Sequence, residues 1–267
     1  MGKLDFIKNI FFDLDGTLLD NNLDLNNKTI KGLKKINEKG IGVSIVSARM
    51  LGSIKGFLND FQTNYLSALN GSLIFNTKTK KIEVSNSMHF DISSKIISRL
   101  KKDDLAFNIF TIDNVYISRY SKDNTNAKYQ RTLFPKMLVD FNKDQEVYLI
   151  ELILDSPDHL EDYRKHLKNE FSNSISLTDG GYNCLEINKN GIDKGSSLEY
   201  IADKLGIGLK ETMAIGDSET DVSMIKNAGV GIAMKVSNEK LLKAADLITK
   251  KTNDENGALD FILDILK

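Results

Sequence analysis

An apolar run from Phe6 to Phe12 stops at two acids one residue apart, in Ile10-Phe11-Phe12-Asp13-Leu14-Asp15-Gly16-Thr17-Leu18-Leu19. The run reads as a short buried strand, and Gly16 lets the chain turn sharply after it. Open α/β sheets bind their ligands at the C-terminal ends of strands, which is where these acids fall. In an extended chain residues 13 and 15 point to the same side, so their charges repel unless something positive lies between them. A divalent metal meets that need, and hard oxygen ligands suit Mg²⁺. An ordinary Asp-Gly turn with two solvated acids is the plain alternative. The apolar flanks weigh against it, because idle charge beside a buried strand is costly.

The segments that follow tell what kind of sheet holds this strand. Residues 26–39 carry Ile30, Leu33 and Ile36 at helical spacing, with Gly40 as a C-terminal stop. Residues 41–46 read as a buried strand ending in Ser47-Ala48-Arg49, residues 50–60 as a helix, and residues 65–69 as a strand leading to the Asn70-Gly71 turn. Strands alternating with helices imply a parallel sheet covered on both faces. After Ile74 the rhythm changes to short strands with few helices, including a hairpin arm at 78–88 and a strong strand at 147–154. Residues 175–177 and 183–187 read as strands with Gly180-Gly181 turning between them, while 124–140 fits no element well. From Gly191 the first rhythm returns, with a helix at 194–205 ended by Gly206 and a strand at 212–215. The expected architecture is a Rossmann-like, doubly wound parallel-sheet core of residues 1–80 plus 188–267, with an α+β domain of residues 81–187 inserted into it.

Composition excludes several partners. Thirty-six basic and 37 acidic residues leave a net charge of -1, so no strong field favours nucleic acid. One cysteine, Cys184, permits no intramolecular disulfide and neither common paired-cysteine zinc pattern. No apolar run approaches the ~20 residues that cross a bilayer, and no secretory leader pattern opens the chain. A cytoplasmic protein with no membrane partner is expected; oligomeric state is left open.

Ala214-Ile215-Gly216-Asp217-Ser218-Glu219-Thr220-Asp221 repeats the opening logic of apolar strand, glycine, then acids four residues apart. If the two strands are neighbours, Asp13, Asp15, Asp217 and Asp221 surround one oxygen-lined pocket suited to Mg²⁺. Asp221 by itself also suits a helix N-terminus, where the macrodipole favours an acid. Lys194 opens a helix, where the same dipole disfavours a lysine, unless its ammonium neutralises a phosphate or a carboxylate nucleophile. Ser47 offers a hydroxyl and a following N–H to phosphate oxygens, or simply a cap. His89, His159 and His166 show no ligand spacing, and Cys184 reads as a small buried apolar residue.

These four pieces, in this order, resemble the haloacid dehalogenase-like hydrolase superfamily. The matching residues are Phe12-Asp13-Leu14-Asp15-Gly16-Thr17, Ser47, Lys194 and Gly216-Asp217-Ser218-Glu219-Thr220-Asp221. The insertion between Ser47 and Lys194 looks like a C2-type cap, and its strand-rich pattern is most similar to the Cof-type branch, subclass IIB. The resemblance implies a Mg²⁺-dependent phosphatase acting on a small phosphorylated metabolite such as a sugar phosphate or phosphorylated cofactor. It implies that Asp13 attacks phosphorus to form an aspartyl-phosphate and that Asp15 is the general acid and base. The metal would be held by Asp13, Asp15 through its backbone carbonyl, and Asp217, with Asp221 holding a metal-bound water or Lys194. The phosphate would be gripped by Ser47, Lys194 and the N–H groups of Leu14 and Ala48. Thr220 stands where an asparagine commonly contacts phosphate, and Ser47-Ala48-Arg49 replaces the usual Thr-Gly-Arg.

Two other readings stay open at this level: a phosphomutase using the same nucleophile, and a non-catalytic module in which aspartate phosphorylation acts as a switch. Asp15 weighs against the switch, which has no need of a second acid beside the nucleophile. Substrate choice is expected to lie with residues between Lys80 and Asn188, where Arg119, Lys128 or Arg131 could meet a second anionic group.

Overall fold

The computed structural model describes residues 6–57, 61–119, 135–181 and 183–266. Two sheets organise them. The first has eight strands in the order β14-β13-β12-β1-β2-β3-β4-β5. These are β1 (Asn9–Phe12), β2 (Gly42–Val46), β3 (Tyr65–Ala68), β4 (Leu73–Asn76), β5 (Lys81–Ser85), β12 (Thr212–Gly216), β13 (Val230–Ala233) and β14 (Leu247–Ile248). From β14 to β3 all neighbours run parallel; β4 and β5 close the far edge antiparallel. The chain leaves β1 towards β2 and β3, then returns on the other side through β12. The C-terminal end of β1 therefore lies at a switch point, where such sheets bind ligands.

Burial explains why β1 is the axis of this sheet. Ile10 and Phe12 enter the layer formed with α1 (Asn27–Glu38) and the C-terminal helix at Gly257–Ile265. Phe11 enters the opposite layer with Leu198, Ile201, Met224 and Ile225. All three aromatic and aliphatic side chains are fully buried. At about 1.5–3 kcal/mol per buried large apolar side chain, this strand gains on both faces at once. Its alternation is hidden in the sequence because neither side is polar.

The second sheet has six strands in the order β10-β11-β9-β6-β7-β8. They are β6 (Ala106–Phe110), β7 (Val115–Ile117), β8 (Lys136–Met137), β9 (Leu149–Ile153), β10 (Ile175–Gly181) and β11 (Cys184–Lys189). Two helices, α3 (Phe90–Lys102) ahead of β6 and α4 (Pro157–Phe171) after β9, supply its apolar layer through Ile96, Leu100, Leu160 and Leu167. Among the described residues no helix is long and apolar enough to cross a membrane.

Some expectations change. The helix expected over 50–60 is α2, Leu51–Lys55, followed by a turn at Gly56 and Phe57, with 58–60 outside the described residues. Gly52 and Gly56 cost helix propensity at both ends of so short a segment. Gly180-Gly181 ends β10 with a register irregularity instead of turning between strands, and the chain reverses beyond it. Of 124–140, only Lys136–Met137 and a 3₁₀ turn at Leu138–Asp140 are described elements. Cys184 is half-buried at the start of β11, not sealed in a core.

Candidate active site

The parallel pairing of β1 with β12 continues one step beyond the end of β1, where the Asp13 N–H donates to the Ile215 carbonyl at 3.0 Å. Asp13 therefore lies beside the Gly216-Asp217 turn, although 204 residues separate it from Asp217 in sequence numbering (217 − 13). Helix α5 (Lys194–Leu205) aims its first residue at the same point. Asp193 caps it, accepting from the Ser196 N–H at 2.8 Å while its own N–H donates to Ser196 Oγ at 3.1 Å. This reciprocal cap fixes the helix start, so the Lys194 side chain has one approach.

The Lys194 ammonium, fully buried, donates to Asp13 Oδ1 and Asp221 Oδ1, each at 2.6 Å. The other oxygen of Asp221 accepts from the N–H groups of Asp217 and Ser218 and from Ser218 Oγ, at 3.1, 3.0 and 3.1 Å. Asp221 thus closes its own turn with one oxygen and holds Lys194 with the other. Two glycines admit this crowding. A Cβ on Gly16, which has φ +73°, would stand 2.3 Å from Asp217 Oδ2, and one on Gly216 would stand 2.3 Å from Asp221 Cγ.

Oxygens of Asp13, Asp217 and Asp221 all lie within 4.8 Å of one another. Burial pushes the Asp13 carboxyl up from the ordinary 3.8 to about 7, with Asp221 and Asp15 adding to the rise and Lys194 opposing it. Burial and the charges of Asp13 and Asp221 likewise raise Asp217 well above the usual carboxylate range. Burial works against the Lys194 ammonium, but the charges of Asp13 and Asp221 outweigh it and hold the lysine charged. Three acids facing one ammonium leave an excess of negative charge, and their only other resort is to hold protons. This oxygen-only donor set fits a hard divalent cation, which would relieve that pressure.

Asp15 takes a different direction from the one its spacing suggests. The strand ends at Phe12, and the loop over Leu14–Leu18 turns Asp15 aside and closes with the Leu19 N–H on the Leu14 carbonyl at 2.9 Å. Asp15 meets Arg49 instead, whose Nε and Nη2 hold its two oxygens at 2.7 and 2.6 Å. Arg49 is itself buried, donates to Ser53 Oγ at 3.3 Å and rests over the Phe57 ring. A bidentate guanidinium neutralises and orients a carboxylate better than an ammonium would. The sequence reading gave Arg49 no role; its signal was a charge two residues past a buried strand end.

Ser47 lies buried at the end of β2 beside β1, its Oγ accepting from the Arg49 N–H at 3.1 Å, with Ala48 half-buried next to it. Leu14 is buried, and Thr220 is buried with its hydroxyl 2.8 Å from Ser218 Oγ, inside its own turn. Arg119 is exposed and holds Asp104 at 2.9 Å, while Lys128 and Arg131 lie outside the described residues. His89 stands just before α3 with no side-chain bond to the helix start, and His166 lies 3.5 Å from Glu170 on α4. Reading by motif took Asn70 only as part of a turn and passed over Asn108, Glu151 and Glu186; all four are buried. A lone glutamate inside each of Leu149-Ile150-Glu151-Leu152-Ile153 and Cys184-Leu185-Glu186-Ile187 was the available signal.

The sequence model of the haloacid dehalogenase-like hydrolases matches residues 10–262. The chain belongs to the haloacid dehalogenase-like hydrolase family, in its Cof-type branch, and is a phosphoric monoester hydrolase. It is similar to the 5-amino-6-(5-phospho-D-ribitylamino)uracil phosphatase YcsE of Bacillus subtilis, with 29% identity over 94% of this chain and 92% of that one. A second such phosphatase of the same organism, YwtE, is 26% identical over 97% and 98% of the two chains. A solved haloacid dehalogenase-like hydrolase from Bacteroides thetaiotaomicron superposes with a TM-score of 0.79 at 26% identity, covering 97% of this chain and 99% of that one.

Proposed function

We propose that the protein hydrolyses small phosphorylated metabolites in two displacements at phosphorus, with Asp13 as the nucleophile. The observation that carries this reading is the buried Lys194 ammonium bridging Asp13 and Asp221 at the end of β1. In the first displacement an Asp13 oxygen bonds to phosphorus, the bond to the leaving alkoxide breaks, and Asp15 gives that oxygen its proton. In the second, the Asp15 carboxylate takes a proton from water as the water oxygen attacks the aspartyl-phosphate, freeing inorganic phosphate and Asp13. Lys194 offsets the repulsion between a carboxylate and a phosphate dianion. Ser47, the N–H groups of Leu14 and Ala48, and Thr220 supply donors to the transferring oxygens, where positioning and charge stabilisation carry most of the catalysis.

Mg²⁺ is the cation that this donor set suits; Asp13, Asp217 and the Asp15 backbone carbonyl would hold it, with Asp221 behind them. When bound, it supplies Lewis-acid stabilisation of the charge on the phosphoryl oxygens. The six-stranded unit serves as a cap that excludes bulk water during the reaction. β5 pairs with β4 in the first sheet, which supports a cap that begins after Ser85. The names of YcsE and YwtE, both for a phosphorylated ribityl compound, support a polyol-like phosphate ester as substrate.

Phosphate release from a panel of phosphorylated metabolites, with Mg²⁺ and with chelator, tests the reading. Release that chelator and Asp13→Asn each abolish is the expected result. Release that Asp13→Asn leaves unchanged would remove Asp13 from the chemistry.

A further inference from the structure

A line of hydrogen bonds runs from the six-stranded unit to the Ser47-Ala48-Arg49 loop after β2, passing through two peptide groups end to end. Asn188, near the end of β11, is 1% exposed and donates through Nδ2 to the Leu69 carbonyl at 3.1 Å. The peptide group that carries this carbonyl also carries the Asn70 N–H, which donates to the Ser47 carbonyl at 3.1 Å. The Ser47 carbonyl belongs in turn to the peptide group whose other end is the Ala48 N–H. No peptide bond among the described residues is cis. A trans peptide is flat, with C=O and N–H pointing opposite ways, so a bond to one end fixes the aim of the other.

The first of these peptides is held against its own preference. Leu69, Asn70 and Gly71 take φ values of +51°, +56° and +105° in succession. Asparagine and glycine visit this region readily, but leucine has no short polar side chain to favour it. Such backbone persists only where its surroundings over-determine it. Asn188 also accepts from Asn70 Nδ2 at 3.3 Å, so it grips the turn by backbone and side chain together. On the other side, a Cβ on Gly71 would stand 2.4 Å from Ser197 Oγ and 2.7 Å from the Asp193 carbonyl, at the start of α5. The turn is wedged between Asn188 and the helix that carries Lys194. Asn188 Nδ2 further reaches Ser72 Oγ and the Tyr148 carbonyl, each at 3.1 Å, contacts that join the two units without entering the line to Ala48.

We propose that Asn188 is a positioning residue for phosphoryl transfer, which aims the Ala48 N–H at the transferring oxygens through the Leu69–Asn70 and Ser47–Ala48 peptides. This inference rests on the phosphatase reading, in which Ala48 is one of the donors. Each bond in such a line polarises the next, so the Ala48 N–H gains strength as well as direction. A donor fixed in advance needs no rearrangement as charge builds on the phosphoryl oxygens.

The test measures kcat and KM of the full chain with Mg²⁺ for p-nitrophenyl phosphate and glucose phosphate, in the wild type, Asn188→Leu and Ser72→Ala. Asn188→Leu keeps the side-chain bulk and removes the donor. Its kcat should fall about tenfold, by the same factor for both esters, because the two share only their phosphoryl group. Ser72→Ala breaks a contact between the units, leaves the line to Ala48 in place, and should keep the wild-type kcat. A wild-type kcat in Asn188→Leu, a loss that Ser72→Ala matches, or a loss confined to glucose phosphate would overturn this inference alone. No hydrolysis of either ester by the wild type would remove the phosphatase reading and the inference with it. A measurement on the wild type covers an Asn188→Leu chain that fails to fold. In amide NMR spectra with Mg²⁺, inorganic phosphate should move the Ala48 resonance, and the Asn70 N–H should exchange slowly with solvent. An Ala48 resonance that phosphate leaves unmoved, or fast exchange at Asn70, would equally overturn the proposal.

Discussion

Among the described residues two places bury carboxylates, and different groups reach them. At the end of β1, Asp13 and Asp221 share the Lys194 ammonium at 2.6 Å each. On the second sheet, Glu186 and Glu151 take donors from the amides of Asn70 and Asn108 at 2.7 and 3.1 Å. An ammonium balances charge, so the first site still carries an excess of negative charge that a cation can exploit. An amide donates to a carboxylate without carrying charge, and Glu151 and Glu186 engage further groups besides. The first arrangement is suited to polarise a reacting group, while the second joins the two units through Asn70 and Glu186. Neither is explained by stability alone, because burying either set costs free energy that apolar residues would not.

The comparison breaks most sharply at Asp13. Asp13→Asn should lower turnover by about 10³-fold or more, because a neutral amide cannot open the covalent route. Steady-state phosphate release with and without Mg²⁺ measures it, and a drop below tenfold would contradict the role. Lys194→Met comes next. It leaves Asp13, Asp217 and Asp221 facing one another without a fixed positive charge, and breaking such a buried pair costs about 3–5 kcal/mol. Urea unfolding should show that loss in metal-free protein, with part of it restored by Mg²⁺. Equal loss with and without Mg²⁺ would mean that no cation enters the acidic group.

The pH dependence of stability sharpens the same point. In the folded, metal-free chain the Asp13 carboxyl titrates near 7, against an ordinary 3.8. Between those values the folded state holds the extra proton, so stability falls as pH rises through that window. A bound cation opposes protonation, so the rise in melting temperature on adding Mg²⁺ should be greater at pH 8 than at pH 5. The reverse order would show that the acids are already ionised without metal. The smallest effect is expected where the two units touch through half-buried charge. Arg164 on α4 meets Glu219 at 3.3 Å, and Glu219 also takes Lys240 at 2.6 Å. Arg164→Ala should cost under about 1 kcal/mol, as partly exposed pairs do. A larger loss in urea unfolding would make this pair a true fastening between cap and core.

How much of this was legible follows from distance along the chain. Asp13, Asp217, Asp221 and Lys194 each stand at the end of an apolar strand or the start of a helix. Local pattern therefore marks them one by one, and a parallel sheet returning to β1 brings them together. Asp15 was legible as a residue but not as a direction. Its spacing from Asp13 promised a shared side, and the turn at Gly16 sent it to Arg49. Glu151 and Glu186 were visible only as single polar letters in apolar strands. Their partners are set by cross-strand register, which the sequence does not state.

The sequence by itself determined the alternation of strands and helices, the strand ends at which acids stop apolar runs, and the charge that each motif contributes. These follow from local periodicity and from the cost of burying charge, both of which act over a few residues. Only the tertiary structure decided that Lys194 bridges Asp13 and Asp221, that Arg49 holds Asp15, and that Asn70 crosses from one unit to Glu186 in the other. Those contacts join residues 27 to 181 positions apart. They exist because packing two sheets and their helices leaves each buried polar group few partners it can reach.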